Sequence, residues 1–493
     1  MRVLTWNPWW RFGGNRRDRA AGIRVTLRTY QPDAIGADLD PRGEVVVPRV
    51  YLLRMVSAAY SYLGSSALAP AAGLTLQTSG GPAAHPRFFT GFLTEPAAAA
   101  TGLLAVAEVA RTRYFRPVSP ASLDPVVTAG SDRLRFESFS GCCGVYARLD
   151  VLPAGIDGEI IAHGTTNVDV NLPLRRALTR VVGAADPLHL AVGPDDLTVT
   201  TFDGPLVERK VPLPSRWLRG FAEAQVLTAR FDPRAEISVA ETRTLLNRLP
   251  AGDRSVLWAL PAGRTLRLTS RPVPGAICLP GAGRLAALKP FLRSATALRV
   301  YGPAIATGSG PVASTWELSM PAMRLSVTLS PEPYRGFSGE GAVLESLASD
   351  EAADDAELVS ALLSWDPAID VDALAEAAGL GRDRILEALT QLGAAGRVGY
   401  DVAEAGYFHR TLPYAADVVE KMNPRLIGAR ALVAAGAVSL DGDVAVVRSG
   451  EEKYHVRLSS CTCPWWAKHR GERGPCKHAL AVRMVRAGDE AMA

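Results

Sequence analysis

Two closely spaced pairs of metal-binding residues near the C-terminus constrain this chain more than any other feature. Cys461 and Cys463 form the first pair, and Cys476 and His478 form the second after twelve intervening residues. Thiolates with one imidazole suit tetrahedral Zn²⁺, and four protein ligands leave no open position for a substrate. The pattern predicts one structural zinc ion in a recognition module. The alternative, unrelated buried thiols and a surface histidine, requires two coincidental close pairs.

The residues around these pairs predict the local structure. Pro464 ends the extended segment of the first pair, because proline cannot donate a hydrogen bond to a sheet. A helix is predicted to open at Cys476, which places the second pair in its first turn. Upstream, residues 444–450 and 454–458 predict a β-hairpin. A hairpin and one helix bury too little apolar surface to persist alone, so the metal is expected to be part of the fold.

This stretch resembles the SWIM zinc finger, a family with a Cys-x-Cys pair and a Cys-x-His pair after a β-hairpin. The resemblance covers roughly residues 440–486 and includes the ends CTCP and PCKHALAV. It implies one structural Zn²⁺ with four ligands: Cys461, Cys463, Cys476 and His478. His455 and His469 fall outside the pattern, and His469 is expected to be a solvated loop residue.

Composition predicts a globular cytoplasmic protein. The chain has 493 residues, 48% hydrophobic and 21% charged, which indicates about three domains. No run approaches the ~20 apolar residues of a membrane span. Zinc accounts for three of the six cysteines, and free thiols fit a reducing compartment. The adjacent Cys142 and Cys143 are expected to be small buried residues, with a redox pair as the alternative.

The N-terminal region differs from the rest in charge. Residues 1–54 hold ten arginines and five acidic residues, whereas the remaining residues hold 44 bases and 45 acids. The chain as a whole is therefore not a basic nucleic-acid binder. Residues 1–56 lack a clear helix or strand period. They are expected to be a disordered extension. The alternative expectation is that translation begins near Met55.

Residues 57–340 are predicted to form a mixed α/β domain of α+β type with much antiparallel sheet. Alternating segments predict strands; they are 133–139, 145–152, 188–192, 197–200 and 206–211, of which the first two are expected to be half-buried. The region resembles the long N-terminal region of bacterial SWIM proteins, which supplies no mechanism. We find no catalytic arrangement in the sequence and expect no enzyme. Gly164–Asp169 is expected to be a polar turn, with a phosphate or cation loop at Asn167 and Asp169 as the alternative.

Residues 341–413 are predicted to form a winged-helix-like module. Helices are expected at 358–365, 371–378 and 382–392, and the two strands of a wing at 397–402 and 406–410. The module has fourteen acidic and four basic residues. Because a helix that reads duplex DNA must approach phosphates, this charge favours a protein-contacting or purely structural role.

Residues 414–493 are assigned to the zinc module, which leaves two functions open. From residue 451 onward the chain has eight bases and five acids. Nucleic-acid or partner contact is predicted at six residues: Trp465, Trp466, Lys468, Arg470, Arg473 and Lys477. Bacterial relatives occur with MoxR-type AAA+ ATPases and von Willebrand A proteins, so the resemblance implies a chaperone-like assembly. The first hypothesis is a zinc-dependent protein adaptor, and the alternative is a nucleic-acid binder.

Overall fold

The computed structural model describes most of the chain from residue 87 to residue 492. The gaps are residues 116–124, 185, 251–254, 339–341, 364, 413–422, 458–459 and 472. Before residue 87 it describes four short strands, paired as two hairpins: β1 (Asp38–Leu39), β2 (Val45–Val46), β3 (Ala67–Ala69) and β4 (Gly73–Thr75). Apart from β1 and β2, the extension predicted at residues 1–56 lies outside the described residues.

The first half of the large domain contains nine strands and two helices. They are β5 (Phe89–Leu93), α1 (Pro96–Arg111), β6 (Val126–Ala129), β7 (Leu134–Phe139), β8 (Val145–Val151), β9 (Ile156–Ile160), β10 (Gly164–Asn167), α2 (Leu172–Ala184), β11 (His189–Val192), β12 (Asp196–Thr201) and β13 (Gly204–Arg209). The five strands predicted from alternation are found here as β7, β8, β11, β12 and β13. Gly164–Asn167, expected to be a turn, is instead strand β10, which pairs with β6.

The second half adds seven strands, two helices and a long 3-10 segment. They are α3 (Ser215–Thr228), β14 (Asp232–Ser238), α4 (Val239–Arg248), β15 (Val256–Ala262), β16 (Thr265–Thr269), β17 (Ile277–Pro280), the 3-10 segment (Ala282–Arg293), β18 (Ala297–Gly302), β19 (Ser314–Met320) and β20 (Met323–Leu329). Strands of both halves form one eight-stranded antiparallel sheet in the order β10-β6-β7-β8-β20-β19-β18-β14. The halves meet where β8 pairs with β20, with Leu149 opposite Leu325.

Both faces of this central sheet are covered. Leu134 and Phe136 of β7 point to the main apolar core, which includes residues of α1. Arg135 and Glu137 alternate with them and point to the other face, yet they are equally buried. The alternation predicted a half-buried strand with one solvated face. That expectation is wrong, because a later part of the chain covers the polar face.

That later part is a module of four helices and a hairpin. It consists of α5 (Ala342–Leu347), α6 (Asp350–Leu362), α7 (Val371–Ala378), α8 (Arg382–Ala394), β21 (Val398–Asp401) and β22 (Gly406–His409). Helix α6 begins eight residues before the predicted start at Leu358. Ser349 caps it by accepting a hydrogen bond from the Ala352 backbone N–H at 3.1 Å. Ile369, just before α7, forms a bridge to Tyr407 of the hairpin.

Asp401, at the end of β21, is the centre of a buried ion network between the hairpin and the sheet. Its carboxylate accepts hydrogen bonds from Arg148 at 2.9 Å, Arg324 at 2.8 Å and Arg135 at 3.2 Å. Burial alone would raise the pKa of Asp401, but the three guanidinium groups hold it well below its usual range. Because these arginines lie on β8, β20 and β7, the hairpin is fixed across the middle of the sheet.

Arg410, just after β22, is a second buried anchor of the hairpin. Its Nη1 donates to Glu137 at 2.7 Å, and the hydroxyl of Tyr146 donates to the same carboxylate oxygen at 2.5 Å. The Arg410 guanidinium lies 4.1 Å from the centroid of the Phe221 ring. The hairpin is thus attached through charge and ring contacts to both the sheet and α3.

Two further contacts attach the helical module to the large domain. The side chain of Gln225 on α3 donates to the carbonyl of Leu389 on α8 at 2.9 Å. Trp365 stacks between His163 and His409, with ring centroids 5.5 Å and 4.2 Å away. Helix α8 and the hairpin of the module therefore both face the large domain.

The C-terminal part contains three helices and a four-stranded antiparallel sheet. The elements are α9 (Pro424–Ala434), β23 (Val438–Asp441), β24 (Val444–Ser449), β25 (Glu452–Arg457), β26 (Ser460–Cys461), α10 (Pro464–His469) and α11 (Lys477–Met492). The predicted hairpin is present as β24 and β25, joined by a turn in which Gly450 has a φ of 69°. Helices α9 and α10 and strand β23 were not predicted.

A shared apolar cluster links this part to the others across the predicted boundaries at 340 and 413. The cluster contains Leu426 of α9, Leu480 of α11, Val343 of α5, Ala394 of α8 and Val226 of α3. Among the described residues, no helix is long and apolar enough to cross a membrane.

Candidate metal centre

The first ligand pair lies where β26 passes into α10. Cys461 is the last residue of β26, and Cys463 is the N-cap of α10. The Cys463 Sγ accepts the backbone N–H of Trp466 at 3.4 Å. Pro464 occupies the first turn of α10, where the missing N–H has no cost. The proline was predicted only to end a strand, whereas it also starts a helix that aims the Cys463 thiol.

The second pair lies at the start of α11. Cys476 directly precedes the helix, and its Sγ accepts the backbone N–H of Ala479 at 3.4 Å. His478 is in the first turn, as predicted. Gly474, with a φ of 73°, turns the chain back toward the first pair.

The four side chains meet at one point. Their ligand atoms all lie within 4.8 Å of one another. The Nδ1 of His478 is 3.8 Å from the Cys461 Sγ and 4.0 Å from the Cys476 Sγ. Tetrahedral Zn²⁺, with bonds of about 2.0–2.3 Å, requires separations of about 3.5–3.8 Å. The His478–Cys461 separation lies in this range, and the others are at most about 1 Å longer than it. Three thiols and an imidazole are therefore positioned to bind one zinc ion, and the predicted ligand set is confirmed.

The ligands lie in a small apolar core. All four are buried, and Ala445, Val447, Val456 and Val482 pack around them. This shell excludes solvent from the ligands and strengthens electrostatic interactions at the site.

Thiolate formation is favoured at one of the three cysteines, Cys476, and opposed at the other two. A hydrogen bond from Cys461 lowers the pKa of Cys476 to about 4, and the same contact raises the pKa of Cys461 well above its usual range. Cys476 is thus the first of the three thiols to ionise. A bound divalent cation supplies the positive charge that further thiolates need, and the filled ligand set makes its role structural.

The imidazole of His478 is held from one side by an aromatic ring. It stacks on Tyr454 with centroids 4.4 Å apart. Its Nε2 is buried and has no hydrogen-bond partner among the described residues. Packing rather than a hydrogen bond therefore orients the ring, with Nδ1 directed at the sulfurs.

The other cysteines lie outside this centre. Cys142, Cys143 and Cys278 are free thiols. Burial raises the pKa of Cys143 to about 12 and that of Cys278 to about 12 as well. Both are therefore unreactive at neutral pH. Cys143 is the small buried residue that was expected, while Cys142 is only half-buried.

The predicted contact residues fall into two groups. Trp465 and Trp466 pack against the apolar core of the zinc site, and Trp466 also lies against Gly471. Lys468 and Arg470 are exposed at the C-terminal end of α10, whereas Arg473 and Lys477 are half-buried. Of these six residues, Lys468 and Arg470 are thus the two that are exposed to solvent. The contact role of all six stays a prediction.

The alternative loop site in the large domain is a buried strand end. Asn167 is fully buried, and its amide donates to the carbonyl of Val211. Burial raises the pKa of nearby Glu208 to about 7, and the charge of Asp169 adds to the shift. Asn171 donates to Glu208 at 2.9 Å. The side-chain amides of Asn167 and Asn171 therefore donate to groups within the protein.

Comparisons with known proteins identify the zinc module. Residues 438–482 match the SWIM zinc finger family. The match spans β23 to β26, α10 and the first turns of α11, and it includes all four ligands. It does not reach α9. No curated protein sequence matches the chain.

Two solved structures show a weak similarity to the chain. Proliferating cellular nuclear antigen from Entamoeba histolytica has a TM-score of 0.33 and 11% identity, and the alignment covers 50% of this chain and 99% of that one. The PCNA2–PCNA3 complex from Sulfolobus tokodaii has a TM-score of 0.33 and 9% identity, with the same coverage. Similarities of this size do not assign a fold.

Proposed function

Because residues 438–482 form a SWIM zinc finger with a filled set of four ligands, we propose that the protein is a zinc-dependent adaptor that binds other proteins. No coordination position is left for a substrate, so the metal serves the fold rather than chemistry. The proposed role is therefore binding and not catalysis.

One observation carries the proposal: the surfaces with which a winged helix reads duplex DNA are covered here. Helix α8, the last of the three predicted helices, packs against α3 of the large domain, where the side chain of Gln225 donates to the carbonyl of Leu389 at 2.9 Å. The hairpin is fixed to the central sheet through Asp401 and Arg410. We propose that residues 341–413 are a winged-helix-like module in which these elements serve intramolecular packing.

Among the described residues of this module, the outer face of α6 is exposed. Leu358 and Leu362 lie four residues apart on this face and are 43% and 38% exposed. Exposed acids, among them Asp354 and Glu357, lie on the same helix. An acidic surface with two apolar side chains suits a protein segment that combines basic and apolar residues. Nucleic acid would be repelled by it.

The partner class comes from the resemblance stated above. We propose a MoxR-type AAA+ ATPase or a von Willebrand A protein as the partner, with the SWIM module as a second contact region. The experiment is affinity capture from the native host, with L358S/L362S as the test variant. L172S is the matched control, since Leu172 is 56% exposed on the large domain. We expect one protein to co-purify with wild type and with L172S. The recovered amount of that protein should fall at least several-fold with L358S/L362S. Equal recovery in all three would contradict the proposed surface.

A second candidate function is nucleic-acid binding through the zinc module. The exposure of Lys468 and Arg470 at one end of α10 favours it. Contacts with several phosphates make binding fall steeply with salt. Fluorescence polarisation with 20-mer oligonucleotides at 50 mM salt and above tests this, with K468E/R470E as the variant. No binding at 50 mM salt would remove this candidate.

A further inference from the structure

Arg425 lies beside the zinc site although it is outside the SWIM match. It is in the first turn of α9 and is half-buried. Its Nη1 donates to the carbonyl of Arg473 at 2.9 Å and to that of Pro475 at 2.8 Å. Its guanidinium lies 4.5 Å from the centroid of the Trp465 ring.

These contacts are made to residues that lie beside both ligand pairs. Pro475 directly precedes Cys476, and Trp465 follows Cys463 by two residues in α10. A charged donor bound to two carbonyls makes stronger hydrogen bonds than a neutral one, and stacking on the ring adds to them. One side chain thus connects the helix of the first pair to the turn before the second pair.

Helix α9 is itself held in place by apolar contacts. Leu426 and Ala429 pack in the apolar cluster that also contains Leu480 of α11 and Val343 of α5. Arg425 therefore projects from a helix that is fixed to the rest of the molecule. It cannot be a ligand, because a guanidinium has no free lone pair.

We infer that Arg425 is a positioning residue of the zinc site, and that it keeps the two ligand pairs at coordination distance. The functional zinc module then begins at α9 rather than at β23. The inference rests on the zinc site alone and is independent of the adaptor role. Its failure would leave the proposed partner surface untouched.

The test measures zinc release from the full-length, zinc-loaded protein into an excess of a chromogenic chelator. The variants are R425A, R425K and R448A. Arg448 is the matched control, since it is an exposed arginine on β24 of the same module. We expect R425A to release zinc about tenfold faster than wild type, the lower end of effects seen for groups that orient metal ligands.

R425K separates the two contacts of the side chain. A lysine can still donate to both carbonyls but lacks the planar group that stacks on Trp465, so an intermediate release rate is expected. R448A should match wild type. Equal release from R425A and R448A would overturn the inference. If R425A does not fold, R425Q replaces it, since glutamine keeps an amide donor but loses the positive charge that lies on the Trp465 ring. Release from R425Q at the rate of R448A would overturn the inference as well.

Discussion

The zinc site and the Asp401 network are both buried polar centres, but they connect different lengths of chain. The zinc site gathers three thiols and an imidazole from within residues 461–478 around one cation. The Asp401 network instead places three arginines of a sheet around one carboxylate, and Arg148 and Asp401 are 253 residues apart in sequence. The first centre holds a small module together. The second holds two parts of the molecule against each other, so its loss should destabilise regions that are far apart in the sequence.

The largest expected effect is that of zinc removal on the C-terminal module. Structural zinc contributes roughly 10–16 kcal/mol in small modules. Chelation or C476S should therefore abolish hydrogen-exchange protection in β24, β25 and α11, while β7 and β8 stay protected. Since α11 shares an apolar cluster with α5, partial loss of protection in α5 is also expected.

C278S is the control for this experiment. Cys278 is a buried free thiol of the large domain, and its replacement should leave protection in the zinc module at the wild-type level. Native protection of β24 and β25 in metal-free protein would show that the module does not depend on its metal. The zinc ion would then contribute less to the stability of its module than its coordination chemistry implies.

The second effect is that of neutralising Asp401. D401N leaves Arg148, Arg324 and Arg135 buried with one less negative charge, and removing one partner of a buried ion pair costs about 3–5 kcal/mol. We expect a lower midpoint of urea unfolding and loss of protection in both β21–β22 and the sheet beneath them. The zinc content should stay at one equivalent.

E404Q is the graded comparison for D401N. Glu404 pairs with Arg133 at 2.5 Å, but its side chain is 34% exposed. Solvent can compensate the lost charge, so the shift in midpoint should be well below that of D401N. Equal shifts for the two variants would mean that burial does not set the strength of this network.

The zinc ligands could be predicted from sequence because each pair is local. Spacing alone brings Cys461 next to Cys463 and Cys476 next to His478, and only one short loop has to close. Arg425 could not be found in this way, since an arginine near a helix start has no distinctive pattern. Its role depends on a turn that lies 48 residues away.

The central sheet shows the corresponding limit for the fold. Alternation in residues 133–139 predicted strand β7 and its apolar face correctly. It could not show that Arg135 and Glu137 face the hairpin rather than water, because Asp401 and Arg410 are more than 260 residues away. The acidic charge of residues 341–413 was read as a reason against DNA binding. Part of that charge, at Asp401, is in fact balanced by arginines of the large domain.

The smallest effect concerns a buried carboxylate with neither a metal nor an arginine network. Burial and the charge of Asp169 raise the pKa of Glu208 to about 7, opposite to the shift of Asp401. A carboxyl with a raised pKa binds its proton more tightly when folded, so its contribution to stability falls as pH rises from about 4.5 to about 7. E208Q removes this charge and keeps an oxygen that can accept from Asn171. We expect the free energy of unfolding of E208Q to rise relative to wild type by about 2 kcal/mol between pH 5 and pH 8, since each unit of pKa shift corresponds to about 1.4 kcal/mol. E159Q, at an exposed position of β9, should show no such pH dependence. If E208Q and E159Q behave alike between pH 5 and pH 8, burial of Glu208 carries no cost, and the contrast with Asp401 rests on the arginines alone.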